Sequence, residues 1–305
     1  MKVINFFCKW LLIFIVGSLI AFGIVRLMSG DPVMMALSER NLPATEENIS
    51  YLKKEFGLDK SLSMQYFEWI SDFIKGDWGK SYMTDVDLKP EILRRAPVSL
   101  MLGLLGLIYA SILAFWLGYL SSLKDGFFDK FTRALALFTQ TVPVFILIIL
   151  FVYFFGVKYR FIRFFKTGSI ASLAVGTFFV GLPLIGPMSR TVRIYFLEVM
   201  KKPFFRFYIE RGYKREKALL KYCYHEPLQG LSGLLISQSA YVIGASSVVE
   251  FALSIQGLST FLIESIEHRD YLIIQTYIMM IIIWMFFVHL IFSVFSKFVI
   301  KRGSA

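Results

Sequence analysis

Six stretches of this 305-residue chain are each long and apolar enough to cross a lipid bilayer. A hydrocarbon core of about 30 Å requires about 20 apolar residues in helical form. Backbone polar groups in lipid must be paired within the segment, so each stretch is predicted to be an α-helix. The six are residues 10–28, 98–120, 134–157, 168–188, 228–249 and 272–296, and the last five contain no Asp, Glu, Lys or Arg. We therefore expect an all-α polytopic membrane protein with six transmembrane helices.

The composition excludes the main alternatives. Hydrophobic residues make up 56% of the chain and charged residues 18%, which is too apolar for a disordered chain or an ordinary soluble domain. The two cysteines, Cys8 and Cys223, are too few for a disulfide scaffold. The first span is interpreted as a retained helix rather than a signal peptide, because Arg26-Leu27-Met28 offers no small-residue cleavage site.

The basic residues predict the orientation of the chain. Ten of them lie between Arg190 and Lys221, and clusters near both termini belong on the same side by the positive-inside rule. Both termini are therefore expected in the cytoplasm. Four cations between the third and fourth spans run against this assignment: Lys158, Arg160, Arg163 and Lys166. The net charge of +11 is attributed to topology and anionic-lipid contact, with no nucleic-acid partner.

Three parts are predicted along the chain: an N-terminal transmembrane helix (1–28), an external loop (29–97) and a five-helix core (98–305). In the external loop, Thr45 is expected to cap a helix that ends before Gly57, and Ser61 to cap a second helix that ends before Gly76. Their amphipathic pattern, with Trp69 and Trp78, is typical of helices lying at headgroup level. This loop is either a structural cap or a docking surface for an external partner.

A cytoplasmic loop is predicted over residues 189–227. Pro203 is suited to start a helix, Gly212 to break it, and residues 214–224 to form a second helix. Two interpretations remain open: a basic loop held by anionic lipid, or a lever that inserts into a groove of a partner. The aromatic patch favours the lever, because headgroup attraction needs only charges. That patch consists of Phe204, Phe205, Tyr208 and Ile209.

A series of short motifs follows the spans in a characteristic order. They are Gly30-Asp31-Pro32, Gly57-Leu58-Asp59, Gln65-Tyr66 with Trp69, Gly76-Asp77-Trp78-Gly79-Lys80-Ser81, Pro97 with Ser99-Leu100, Asp129 with Arg133, Val142-Pro143-Val144-Phe145, Arg190 with Arg193, Val249-Glu250-Phe251, Gly257-Leu258, and Arg269-Asp270-Tyr271 with Gln275. In this order they resemble the permease subunits of ATP-binding-cassette (ABC) importers, in the dipeptide, oligopeptide and nickel branch. Asn41-Leu42-Pro43 and the spacing of Gln65, Tyr66 and Trp69 are most similar to the nickel permeases.

The resemblance implies the type I ABC importer permease fold and a set of partners. These would be a second, homologous permease subunit, two ABC ATPase subunits, an external substrate-binding protein and the bilayer of a bacterial inner membrane. ATP with Mg²⁺ would bind on the ATPases and no cofactor on this chain. The expected cargo is nickel, as a chelate, and the alternative is a dipeptide or oligopeptide. An ion-gradient transporter and a membrane scaffold are the remote alternatives.

Enzymatic chemistry is not expected. The chain has no phosphate-binding Gly-x-x-x-x-Gly-Lys-Ser/Thr loop, no nucleophile elbow and no His-Glu-x-x-His motif. ATP hydrolysis must then come from other subunits. No metal site is predicted either, since His289 stands alone in the sixth span and one imidazole does not make a site.

Three groups of site residues are predicted. Contact with the ATPase is assigned to Tyr208, Ile209, Glu210, Arg211, Gly212 and Tyr213. The pathway or an external gate is assigned to Gln140, Pro143, Gln238, Glu250 and His289. External docking is assigned to Asp31, Trp69, Trp78, Arg269 and Asp270.

Overall fold

The computed structural model describes residues 2–161 and 170–303. All of the regular secondary-structure elements in these ranges are helices. They are α1 (Lys2–Arg26), α2 (Pro32–Glu39), α3 (Glu46–Glu55), α4 (Leu62–Lys75), α5 (Leu88–Leu123), α6 (Phe127–Thr141), α7 (Val144–Val152) with a π-helical turn (Tyr153–Lys158), α8 (Ile170–Met200), α9 (Pro203–Glu210), α10 (Arg215–Tyr222), α11 (His225–Ala252), α12 (Leu258–His268) and α13 (Tyr271–Gly303). Arg163, Lys166 and the predicted start of the fourth span at 168 lie outside the described residues.

Five of the described helices are long and apolar enough to cross a membrane, and α6 with α7 and the π turn makes a sixth span if counted as one. The prediction of an all-α, multi-pass membrane protein is confirmed. The single helix expected over residues 134–157 is wrong, because the chain bends there by 92°. Val142 has an extended backbone (φ −95°, ψ 115°), as expected before a proline. Pro143 lacks the N–H that would continue the helical ladder.

Several helices extend beyond the apolar stretches that predicted them. α5 begins at Leu88 instead of 98, and Glu91 binds Arg94 and Arg95 in its first turns at 2.7 and 2.6 Å. Helix α8 continues to Met200, so the loop expected from 189 begins twelve residues later. Charged residues placed three or four positions apart support a helix outside the bilayer, and hydropathy alone does not locate its end.

The chain divides into two compact units, Met1–Val98 with Gln256–Phe286, and Ser99–Ile255 with Phe287–Ala305. In the first unit both predicted caps are confirmed: Thr45 Oγ1 accepts from the Asn48 N–H and Ser61 Oγ from the Met64 N–H. The apolar face of α4 packs against α1 and α13, so Trp69 is buried beside Phe22. The ring of Trp69 thus faces protein, and its headgroup-level position stays a prediction.

The second unit is built on α8, which packs against α6 and α11. Its contact with α6 is very close: a Cβ added at Gly186 would lie 2.5 Å from backbone atoms of Ala136. Small residues allow membrane helices to approach in this way. The close approach places the end of α6, just before the bend, beside the two prolines of α8.

Candidate functional site

A cavity of about 370 Å³ lies where α6, α8 and α11 meet in the second unit. Gln140 lies one residue before the end of α6, and Gln238 lies in the middle of α11. The structure thus brings together two residues that the sequence predicted for the pathway, although they are far apart in the chain. The full lining consists of Thr139, Gln140, Pro183, Leu184, Pro187, Met188, Gln238 and Tyr241.

The two glutamine amides give this cavity its hydrogen-bonding character. Thr139 donates to the Leu135 carbonyl of its own helix at 3.0 Å and is thereby satisfied. Within the described residues, neither Gln140 nor Gln238 shows a side-chain hydrogen bond to the protein. Each amide offers two N–H donors and one carbonyl acceptor. The cavity can therefore bind a neutral polar group but brings no fixed charge to it.

The other predicted pathway residues lie elsewhere. Pro143 forms the bend next to the cavity without lining it. Glu250 is fully buried near the end of α11, and His289 lies in α13; neither lines the cavity. Tyr241 was missed by sequence reasoning, although its spacing of three from Gln238 places both on one helix face. Glu250 and His289 remain predictions.

The residues predicted to contact the ATPase form a helical hairpin, α9 and α10, around Gly212. Gly212 has φ +84°, and the N–H groups of Gly212 and Tyr213 bond the carbonyls of Ile209 and Tyr208. This is a Schellman ending, which favours glycine because other residues are strained at positive φ. The predicted helix start at Pro203 is confirmed. The second predicted helix, 214–224, is observed as Arg215–Tyr222.

Three tyrosines hold the hairpin together. The rings of Tyr208 and Tyr222 stack with centroids 4.2 Å apart, and Tyr213 packs edge-on against Tyr222 at 5.3 Å. A hydrogen bond between their hydroxyls raises the pKa of Tyr213 and lowers that of Tyr222. These ring contacts hold α9 against α10.

The exposed surface of the hairpin is apolar and basic. Phe207 is 47% exposed, and the Arg211 guanidinium lies 4.2 Å from its ring centroid. Phe204, Ile209 and Tyr213 are also exposed. Exposed aromatic and basic groups of this kind favour a protein groove as the contact surface.

A cluster of charges lies next to the hairpin, at the start of α6. The buried carboxylate of Asp129 binds Arg133 on α6 at 2.8 Å, and also binds Arg190 and Arg193 on α8. The sequence singled out these four residues only as motif positions, with no role assigned. Their meeting joins the beginning of α6 to α8.

Most of the residues predicted for external docking make contacts that stabilise the first unit. Asp31 caps α2, since its carboxylate accepts from the Val33 N–H at 2.8 Å. Trp78 stacks on Phe73, with ring centroids 5.9 Å apart. Trp69 is buried, so it presents little surface to a partner.

Asp270 and Arg269 anchor the start of α13. Asp270 is 1% exposed and accepts from the Ser81 hydroxyl at 2.6 Å. Burial raises the pKa of Asp270. Arg269 has φ +57° and donates from Nε to the Ser29 carbonyl at 3.0 Å. Docking at any of the five residues remains a prediction.

Comparison with known proteins gives matches along nearly the whole chain. Residues 104–303 match a family described as "Binding-protein-dependent transport system inner membrane component", and residues 3–103 match its N-terminal companion. The probable peptide ABC transporter permease y4tP of Sinorhizobium fredii is 27% identical, over 85% of each chain. The glutathione transport system permease GsiC of Pectobacterium atrosepticum is 24% identical over 91% of each, and a putative peptide transport permease of Brucella abortus 27% over 86%.

Proposed function

Since the chain belongs to the family of binding-protein-dependent transport system inner membrane components, we propose that it is the permease subunit of an importer for small peptides. It is a transport component and not an enzyme. The relatives described above are named for peptides and glutathione, which supports the peptide alternative. The nickel specificity expected from the sequence receives no support from these names, and we set it aside as cargo.

The amide-lined cavity is the observation that carries this proposal. A peptide backbone presents N–H donors and carbonyl acceptors, and Gln140 and Gln238 offer both complements. The volume of about 370 Å³ lies within the range of small-molecule sites, about 300–1,000 Å³. A second, related permease would supply the facing half of the pathway. An amide lining without charge suits cargoes whose side chains differ.

The partners follow from the family. An external binding protein would deliver the peptide, and two ATPases would bind ATP with Mg²⁺ on the cytoplasmic side. The exposed face of α9 and α10, with Phe207 and Arg211, would insert into a groove of one ATPase. In this proposal both termini of the chain lie in the cytoplasm, and the chain lies in a bacterial inner membrane.

Transport would proceed by alternating access around the cavity. ATP binding brings the ATPases together and displaces the α9–α10 hairpin. Helix α8 ends at Met200 and α9 begins at Pro203, so the hairpin is connected to the cavity wall by two residues and one continuous helix. Movement of α8 changes the position of Pro183 and Pro187, which line the cavity.

Uptake measurements test the cargo. Cells lacking this chain, and the same cells with it restored, are given labelled dipeptide, labelled glutathione or trace nickel. We expect deletion to abolish uptake of at least one peptide, and cellular nickel to stay unchanged. A fall in nickel with normal uptake of both peptides would reverse the assignment.

Gln238→Leu tests the cavity. The loss of one hydrogen bond, worth about 1 kcal/mol, together with a desolvated peptide group, predicts uptake reduced by about tenfold. Gln229→Leu is the matched control, because Gln229 belongs to the same helix and does not line the cavity. Initial rates are compared at equal amounts of assembled transporter. Equal uptake by the two variants would remove Gln238 from the pathway.

A further inference from the structure

The carboxylate of Asp129 is enclosed by cations from two helices. Its side chain is 7% exposed, and both of its oxygens are occupied. Oδ2 accepts from Arg133 at 2.8 Å. Oδ1 binds Arg190, and also Arg193 Nε at 3.1 Å. A carboxylate buried to this extent is stable only while such partners stay in place.

Of these arginines, Arg193 also contacts the end of α5. Arg193 Nε also donates to the Ser121 carbonyl at 2.9 Å, near the end of α5. Its second amino group binds Asp125 at 2.6 Å, in the turn that leads into α6. Asp125 is 86% exposed, so this ion pair is screened by water and contributes little. Asp129 is thus the buried link between α6 and α8.

This link lies between the hairpin and the cavity. Along α8, the distance from Arg193 to the end at Met200 is about 10 Å, given a rise of about 1.5 Å per residue. Along α6, Gln140 is eleven residues beyond Asp129, or about 16 Å. Gly186 of α8 contacts Ala136 of α6, which lies between Asp129 and Gln140. The two helices are therefore joined by packing near the cavity and by charge near the hairpin.

We propose that Asp129 is a positioning residue that makes α6 move together with α8, so that displacement of the hairpin also displaces Gln140. Asp129 does not line the cavity. The inference rests on the proposed function, because it assigns a task to α8 in transport. The inference adds that α8 moves α6 through the contact at Asp129, near the start of α6. The bend at Pro143 allows α6 to move separately from α7.

The first test is the number of ATP molecules hydrolysed per peptide imported. In the assembled importer, Asp129→Asn keeps the shape and removes the charge, and we expect transport to fall about tenfold with ATP hydrolysis nearly unchanged. Asp129→Glu keeps the charge and is expected to restore most transport. Asp125→Asn is the matched control and should behave as wild type. If Asp129→Asn only lowers the amount of importer, with a normal ratio of ATP to peptide, the proposal is overturned.

A second test does not depend on the cargo. Spin labels are placed at Leu137 on α6 and Ile194 on α8, both exposed, after Cys8 and Cys223 are replaced. With Asp129 present, the distance between the labels should be the same with and without trapped MgATP. In Asp129→Asn it should differ between the two states. An unchanged distance in the variant contradicts the proposal, whereas failure of peptide uptake in wild type contradicts only the cargo.

Discussion

Replacing Gly212 with valine is expected to abolish most peptide uptake while ATP hydrolysis by the assembled importer continues. Gly212 has φ +84°, and a β-branched residue is a conformational outlier there. Holding such a residue in place costs about 1–3 kcal/mol, which the hairpin can release by opening the turn between α9 and α10. The hairpin would then no longer present Phe207 and Arg211 in their positions. We expect a loss of uptake of about tenfold or more.

The controls separate backbone strain from steric contact. A Cβ at Gly212 would meet no atom within 4 Å, so side-chain size alone predicts no effect. Gly212→Asn tests this, because asparagine tolerates the left-handed region, and it should retain most uptake. ATPase activity and uptake are measured on the same reconstituted preparations. Wild-type uptake by Gly212→Val would show that the turn is not part of the coupling surface.

Local signals in the sequence were sufficient for the helices of the predicted external loop. Thr45 and Ser61 cap the starts of α3 and α4, and Gly76 ends α4 in the left-handed conformation. Each acts on backbone groups within a few residues, so the nearby sequence is enough to predict these helix ends. The packing of Trp69 beside Phe22 was not predictable in this way. An amphipathic stripe shows that one face of a helix is apolar, but lipid and a protein surface are equally good partners for it.

In the candidate site, too, local signals predicted individual residues but not how they pack together. Polar residues inside apolar spans pointed to Gln140 and Gln238, because such residues seldom face lipid. Their meeting depends on α6 and α11 both packing against α8, and no local pattern encodes this. A proline such as Pro143 can kink a helix, but its presence in the sequence does not specify a bend of 92°. The contact of Asp129 with α8 was likewise not predictable, since its partners there are about sixty residues away in the chain.

Replacing Gly186 with alanine should lower the stability of the chain, although it adds only one methyl group. The added Cβ would lie 2.5 Å from the backbone of Ala136, which cannot rotate away as a side chain can. Overpacking of this kind costs about 1–3 kcal/mol, and it separates the helices that form the cavity. We expect a lower midpoint of thermal unfolding in detergent and less protein in the membrane.

Gly244→Ala in α11 is the matched control, because a Cβ there meets no atom within 4 Å. A glycine within a helix is less stable than alanine by about 0.5–1 kcal/mol, so this variant should unfold at a slightly higher temperature. The two substitutions are chemically identical and are predicted to have opposite signs, which removes helix propensity as an explanation. If both midpoints rise, α6 and α8 do not approach as closely as the structure shows. If only the unfolding midpoint of Gly186→Ala falls, the contact that places Gln140 beside α8 is established independently of any transport assay.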